Sequence, residues 1–177
     1  MYRVLIADDE AIERNALKMM LENSIPKIKV TGEAENGVQL LQLLRKNDYD
    51  IAFVDIEMPG ISGIEAVEMA GEELNGMQVI MFTAYSDFAY VQASLRNHVF
   101  DYLLKPTKRD KLLTTVHGCL EKIEKERKVQ ADNEKLKNLL QQINRDNPGA
   151  KDRMFTAILN GNIEGWPLRQ QRKSEHP

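Results

Sequence analysis

Only one cysteine, Cys119, occurs among the 177 residues, which excludes a disulfide framework and a cysteine-built metal site. Its register with Leu112, Val116 and Ile123 marks it as a core thiol rather than a nucleophile. Long hydrophobic runs are missing as well: none approaches the ~20 residues that a membrane-spanning helix requires. The N-terminus lacks the pattern of a signal peptide. Charge of one sign is also scarce. The net charge of −3 supplies no general attraction to nucleic acid or to a membrane surface. A cytoplasmic chain with no membrane attachment is the expectation.

What the chain does have is alternation. Apolar residues make up 42% of it, enough to fill one compact domain with an appendage. Short apolar runs at Val4–Ala7, Ile51–Val54, Val79–Phe82 and Phe100–Leu104 are separated by helical patterns. Those patterns are Ile12/Ala16/Met19/Met20, Val38/Leu41/Leu44, Ile64/Val67/Leu74 and Phe88/Val91/Leu95. Continuous apolar strands joined by helical crossovers imply a parallel sheet covered on both faces. Lys27–Thr31 alternates polar and apolar residues instead, which suits an edge strand. Five βα units with the second strand at an edge predict a flavodoxin-like (βα)5 doubly wound fold, strand order 2-1-3-4-5. Ser62-Gly63-Ile64-Glu65 and Thr107-Lys108-Arg109-Asp110 have capping-box spacing, and Asn36-Gly37 and Asn75-Gly76 mark turns.

The carboxyl tips of these strands carry the chemistry, because open α/β sheets bind ligands there. Strand 1 ends in Asp8-Asp9-Glu10 and strand 3 in Asp55, which faces Met58-Pro59-Gly60. Strand 4 ends at Thr83-Ala84 and strand 5 at Lys105-Pro106. Strands 1 and 3 are neighbours in this order, so three carboxylates converge. Two carboxylates ~4 Å apart repel by about 4 kcal/mol at an effective dielectric near 20. A hard divalent cation relieves that repulsion, and an oxygen-only donor set favours Mg²⁺. Each residue alone has a blander explanation. An Asp at a strand end is most often a cap or turn residue, Thr83 fits β-propensity, and Lys105 fits a solvated turn.

Taken in order and spacing, Asp8-Asp9, Asp55 with Met58-Pro59-Gly60, Thr83-Ala84, Tyr102 and Lys105-Pro106 resemble the receiver domain of a two-component response regulator. The resemblance covers nearly all of residues 1–120. It implies that Asp9 and Asp55 bind the metal directly, joined by the backbone carbonyl of Glu57, with Asp8 acting through water. It implies that the Asp55 carboxylate accepts a phosphoryl group from a sensor histidine kinase. Mg²⁺ and Lys105 would then neutralise the equatorial oxygens, while the Thr83 hydroxyl and the Ala84 N–H bond the product. Thr83 and Tyr102 would form the switch, the tyrosine filling space that Thr83 vacates. The bland reading of Tyr102 is a half-buried aromatic on an edge strand. Glu57 and Tyr85 flank the site where this family varies, and bear on the lifetime of the phosphoryl group.

Beyond residue 120 the pattern changes. Glu121–Lys128 is rich in helix formers, so the last helix is expected to run on toward Asn144 and stop before Asn147-Pro148-Gly149. Residues 121–146 form a helical extension and a candidate coiled coil, with Leu136, Leu139, Leu140 and Ile143 as its apolar strip. The bland reading is a solvated, charge-laced helix. Residues 147–177 are expected to hold a short helix over Lys151–Asn160 and a tail from Glu164 that is flexible or vector-derived. Tyr85-Ser86-Asp87-Phe88, Asp101–Pro106 and the long helix resemble regulators with an AraC-type helix-turn-helix output domain. That domain is absent from these residues, so DNA contact would come only through a missing C-terminal part, and the chain reads as an N-terminal fragment of a transcription regulator. A homodimer is expected through helix 4, strand 5 and helix 5, or through the extension. The competing expectation is a non-phosphorylated dimerisation module. A haloacid-dehalogenase-like phosphatase ranks third, because that family usually places a second Asp where this chain has Glu57.

Overall fold

The computed structural model describes residues 1–46, 49–74, 76–84, 99–146 and 156. In chain order they form β1 (Tyr2–Ala7), α1 (Ala11–Ser24), β2 (Ile28–Ala34), α2 (Gly37–Lys46), β3 (Ile51–Val54) and α3 (Gly63–Ala70). A 3-10 turn (Gly71–Leu74), β4 (Gln78–Thr83), β5 (Val99–Leu104) and a C-terminal helix (Arg109–Asp146) follow. The sheet has five strands in the order β2-β1-β3-β4-β5, and every neighbouring pair is parallel. This is the flavodoxin-like arrangement that the alternating pattern predicts. The fourth helical pattern, Phe88/Val91/Leu95, lies outside the described residues, as do the Asn75 of one turn signal and Tyr85.

The apolar strands divide their side chains between two cores, one on each face of the sheet, as a period of two requires. Val4, Ile6, Ile51, Phe53, Ile80 and Leu103 face Leu17 and Leu21 of α1 and Leu112, Val116 and Ile123 of the C-terminal helix. Leu5, Ala52, Val54, Val79 and Met81 face α2 and α3. Each such leucine or isoleucine contributes about 1.5–3 kcal/mol by leaving water. Cys119 sits in the first core, fully buried, and burial pushes its thiol up to about 12, which makes it inert at neutral pH. β2 is an edge strand, with Ile28, Val30 and Ala34 inward and Lys29 and Thr31 outward. It runs on to Ala34 rather than stopping at Thr31, and its pairing with β1 slips between Val4 and Leu5.

Two helical faces differ from the sequence pattern. Ile12 and Met19 are exposed, and α1 buries Leu17 and Leu21 instead. In α2 Val38 is exposed, while Leu40, Leu41 and Leu44 are buried. In both helices an i, i+4 leucine pair fixes the inward face, and the remaining apolar residues are left outside it. The capping box at Ser62 is formed, with Glu65 N–H donating to Ser62 Oγ at 3.2 Å and Ser62 N–H to Glu65 Oε2 at 2.9 Å. Asn36 caps α2 by accepting from Gln39 N–H at 2.9 Å. Thr107 does not cap the last helix, which begins at Arg109 with Lys108 O accepting from Leu112 N–H.

Contacts cluster into two units, Met1–Arg127 and Lys128–Pro177. Three residues at the amino ends of the central strands hold the end of the first unit. Tyr2 Oη donates to Glu124 Oε1 at 2.6 Å, Asp50 pairs with Arg127, and Gln78 Nε2 donates to Glu126 Oε2 at 3.2 Å. In the second unit the described helical residues leave Val129, Leu136 and Leu139 exposed. The side chain of Ile143 and, apart from Thr156, the expected short helix and tail lie outside the description. Among the described residues no helix is long and apolar enough to cross a membrane.

Candidate functional site

The site is built where β1 and β3 end side by side. Asp55 N–H donates to Ala7 O at 2.8 Å, and Asp8 N–H donates to Ala34 O at 3.0 Å, which registers both strand ends. Gly63 opens α3 directly beneath the Asp55 carbonyl. A Cβ there would lie 1.9 Å from Asp55 O and 2.6 Å from Val54 Cγ1. Gly63→Ala is therefore expected to destabilise the domain by about 1–3 kcal/mol, the range for overpacking, and to displace Asp55. Urea unfolding checks this; an unchanged midpoint would show that the turn relaxes freely.

One carboxylate oxygen from each of Asp8, Asp9 and Asp55 lies within 4.8 Å of the others. Asp8 is buried, Asp55 half-buried and Asp9 exposed. Lys105, brought in by the end of β5 just before a cis peptide bond to Pro106, reaches across to this cluster. Its Nζ donates to Asp8 Oδ2 at 2.5 Å and Asp55 Oδ2 at 2.8 Å, and pairs with Glu13 Oε2 at 2.6 Å. Burial raises the Asp55 carboxyl above its ordinary value, the neighbouring Asp8 adds to this, and the Lys105 hydrogen bond and charge oppose it. Burial would depress the Lys105 ammonium, but Asp55, Asp8 and Glu13 together outweigh it and hold that pKa above its usual value. Lys105 is therefore a fixed positive charge.

Glu57 N–H points back at Asp55 Oδ1, 3.4 Å away. A cleft of about 670 Å³ opens over the cluster, lined by Asp9, Asp55, Glu57, Pro59, Ala84 and Lys105 among others. Thr83 ends β4 opposite Leu104, and its hydroxyl lies outside the description. Tyr102 is half-buried on β5, opposite Met81, and burial raises its phenol pKa. The structure thus gathers Asp9, Asp55, Glu57, Ala84 and Lys105 around one cleft, with buried Asp8 in the carboxylate cluster beside it. Thr83 and Tyr102 stand on β4 and β5, outside the described lining of that cleft.

The donor set suits a hard cation. The carboxylates of Asp8, Asp55 and Glu13 pair with the Lys105 ammonium, and Asp9 adds a further acid to the cluster. All the candidate ligands are oxygens. Two residues that sequence reasoning missed complete the site. Arg14 Nη1 donates to Asp8 O at 2.7 Å and to Asp9 O at 3.3 Å, pinning the backbone that presents both acids. Glu13 holds Lys105. In the sequence both look like ordinary polar residues in the first turn of a helix, and nothing local distinguishes them.

The chain is thus a doubly wound α/β domain with acids at the tips of β1 and β3 and a lysine at the tip of β5. The model of the response regulator receiver domain matches residues 4–117, and the chain belongs to that family. It is 37% identical over 117 residues to the transcriptional regulatory protein BtsR of Salmonella typhi, covering 66% of this chain and 47% of that protein. BtsR of Escherichia coli K12 is 36% identical over 116 residues, again 66% of this chain and 47% of the relative. The chain spans about half the length of these relatives. Among solved structures, the REC domain of AraT, a response regulator from Geobacillus stearothermophilus, has a TM-score of 0.64 and 38% identity, covering 71% of this chain and 98% of that one. A CheY-like receiver domain from Methanospirillum hungatei has a TM-score of 0.63 and 28% identity, with the same two coverages.

Proposed function

We propose that this chain is a phosphorylation-activated switch whose acceptor is Asp55. The observation that carries the reading is the Asp55 carboxylate, 2.8 Å from Lys105 Nζ and clustered with those of Asp8 and Asp9. Asp9 and Asp55 would hold Mg²⁺ directly with the Glu57 carbonyl, and Asp8 through water; the ion, when bound, supplies Lewis-acid neutralisation of phosphoryl charge. An Asp55 oxygen attacks the phosphorus of a phosphohistidine on the partner kinase, the P–O bond forms, the P–N bond breaks, and the imidazole leaves. No general base is needed, because the nucleophile is a carboxylate. Lys105, the Thr83 hydroxyl and the Ala84 N–H bond the phosphoryl oxygens, and the domain catalyses the slow hydrolysis of its own product.

The new group adds about −1.5 to −2 charges, enough to bias Thr83 and Tyr102 between two arrangements separated by a few kcal/mol. The output is transcriptional control in the cytoplasm, through an AraC-type helix-turn-helix domain C-terminal to residues 1–177. The names of the curated relatives support a transcriptional role, and the motifs around Asp101–Pro106 support that type of output. The domain organisation we propose is a receiver over 1–120, a helical extension over 121–146 and a short helix with a tail over 147–177.

Mg²⁺-dependent gain of one phosphoryl mass from acetyl phosphate tests the switch reading; no gain in the wild-type chain would overturn it. Lys105→Ala should still accept the group, more slowly, and should lose the coupling to β5 and the helices beside it. The check is the amide NMR shifts of β5 with and without phosphorylation. A wild-type shift pattern in Lys105→Ala would remove Lys105 from the switch.

A further inference from the structure

Two peptide planes flank the Asp9 Cα, and Arg14 holds both. Its Nη1 donates to Asp8 O at 2.7 Å and to Asp9 O at 3.3 Å. The second plane is gripped at its other edge too, because Glu10 N–H donates to Asp8 Oδ1 at 2.8 Å. The C=O and N–H of a trans peptide point in opposite directions, so bonds at both edges stop that plane from rotating. Fixing both planes fixes φ and ψ of Asp9, and with them the direction in which its exposed side chain leaves the backbone. Arg14 is itself held. Its side chain is 13% exposed on α1, and Glu33 Oε2 on β2 faces its Nε at 3.6 Å.

We propose that Arg14 is a positioning residue for the cation, aiming the Asp9 carboxylate at the cluster before the ion arrives. This rests on the reading of Asp9 and Asp55 as metal ligands. Asp55 is half-buried and tied to Lys105 Nζ at 2.8 Å, and buried Asp8 has one oxygen on Lys105 and the other on Glu10 N–H. Asp9 is exposed, so its aim comes from the backbone. A ligand aimed in advance loses less freedom on binding. The charge of Arg14 acts in the opposite direction, because a cation beside the site repels Mg²⁺. The two effects differ in sign and are therefore separable.

Arg14→Met removes the bonds and the charge together. With aim dominant, Mg²⁺ binds about tenfold more weakly, the lower end of what losing a partner behind a metal ligand costs. Were Arg14 only a charge, the same variant would bind Mg²⁺ more tightly. Affinity is read from the Mg²⁺-dependent amide NMR shifts of Asp55 and Glu57 in the full chain, and the amides of the sheet report that the variant is folded. An affinity equal to wild type, or tighter, would overturn the proposal.

A second readout needs no metal. The Glu10 amide is expected to exchange faster with water in Arg14→Met, because its peptide plane is then held at one edge only; unchanged exchange sinks the grip. Should Arg14→Met fail to fold, Glu33→Ala carries the test from outside the cleft. It releases the guanidinium on its Nε side and should weaken Mg²⁺ binding by about threefold, the scale of an exposed ion pair; undiminished affinity there counts against the proposal. Absence of Mg²⁺-dependent shifts in the wild type would overturn the metal reading and the proposal with it. Wild-type shifts with unaltered affinity in the variants would overturn the proposal alone.

Discussion

Asp55→Asn is expected to abolish phosphoryl uptake outright while leaving the fold intact. The amide has the shape of the carboxylate but no charge, so it cannot attack phosphorus. The surroundings tolerate the change. Lys105 keeps Asp8 and Glu13 as partners, and the amide oxygen can keep the shorter of the two wild-type contacts, that from Lys105 at 2.8 Å, giving up the longer one from Glu57 N–H at 3.4 Å. Removing one of several crowded carboxylates also relieves repulsion worth about 4 kcal/mol per close pair at an effective dielectric near 20. Stability should therefore be unchanged or slightly higher, read by urea unfolding. Persistent labelling of the Asp55→Asn protein would rule out Asp55 as the acceptor. Asp9→Ala tests the metal independently: Mg²⁺-dependent NMR shifts around Asp55 should be lost. Equal shifts in Asp9→Ala and wild type would remove Asp9 from the metal site.

The parts of this arrangement that were legible in the chain share a physical cause. A parallel strand buried on both faces reads as an unbroken apolar run, so Val4–Ala7, Ile51–Val54 and Val79–Phe82 announce themselves. An acid that interrupts such a run at its carboxyl end has one place to go, and Asp8, Asp9 and Asp55 meet there. Lys105 was legible for the same reason. Glu13 and Arg14 were not, because their roles depend on distances to residues on other elements and leave no local mark. The same is true of Tyr2, Asp50 and Gln78. They meet Glu124, Arg127 and Glu126 only once β1, β3 and β4 lie side by side, so this charged stretch of helix reads as solvated although it is anchored. The inward face of α1 was misplaced since Ile12, Met19, Leu17 and Leu21 are all apolar, and only packing on the sheet selects among them.

Replacing Leu136 and Leu139 with Asn should dissociate a homodimer formed through the C-terminal helix. The helix is continuous from Arg109 to Asp146, and among its described residues Leu136 and Leu139 are 54% and 57% exposed. Isolated helices of this kind are marginal in water, because most helical stability comes from burying an apolar face. Val129 and Leu136 fall at one heptad position with Ile143, and Leu139 falls at the other. A β-branched residue at the first position with leucine at the second favours two parallel strands, so we propose a second copy of this chain as the partner. Asp132 occupies one seam position, which weakens the pairing. We expect phosphorylation to tune it through β5, since that strand carries Tyr102. Each buried leucine contributes about 1.5–3 kcal/mol, so losing two per chain should weaken association by at least about 100-fold. Asn138→Ala with Gln141→Ala, on the opposite face, should leave association unchanged. Sedimentation equilibrium of the three proteins decides the matter, and equal association constants in all three would reduce the extension to a linker.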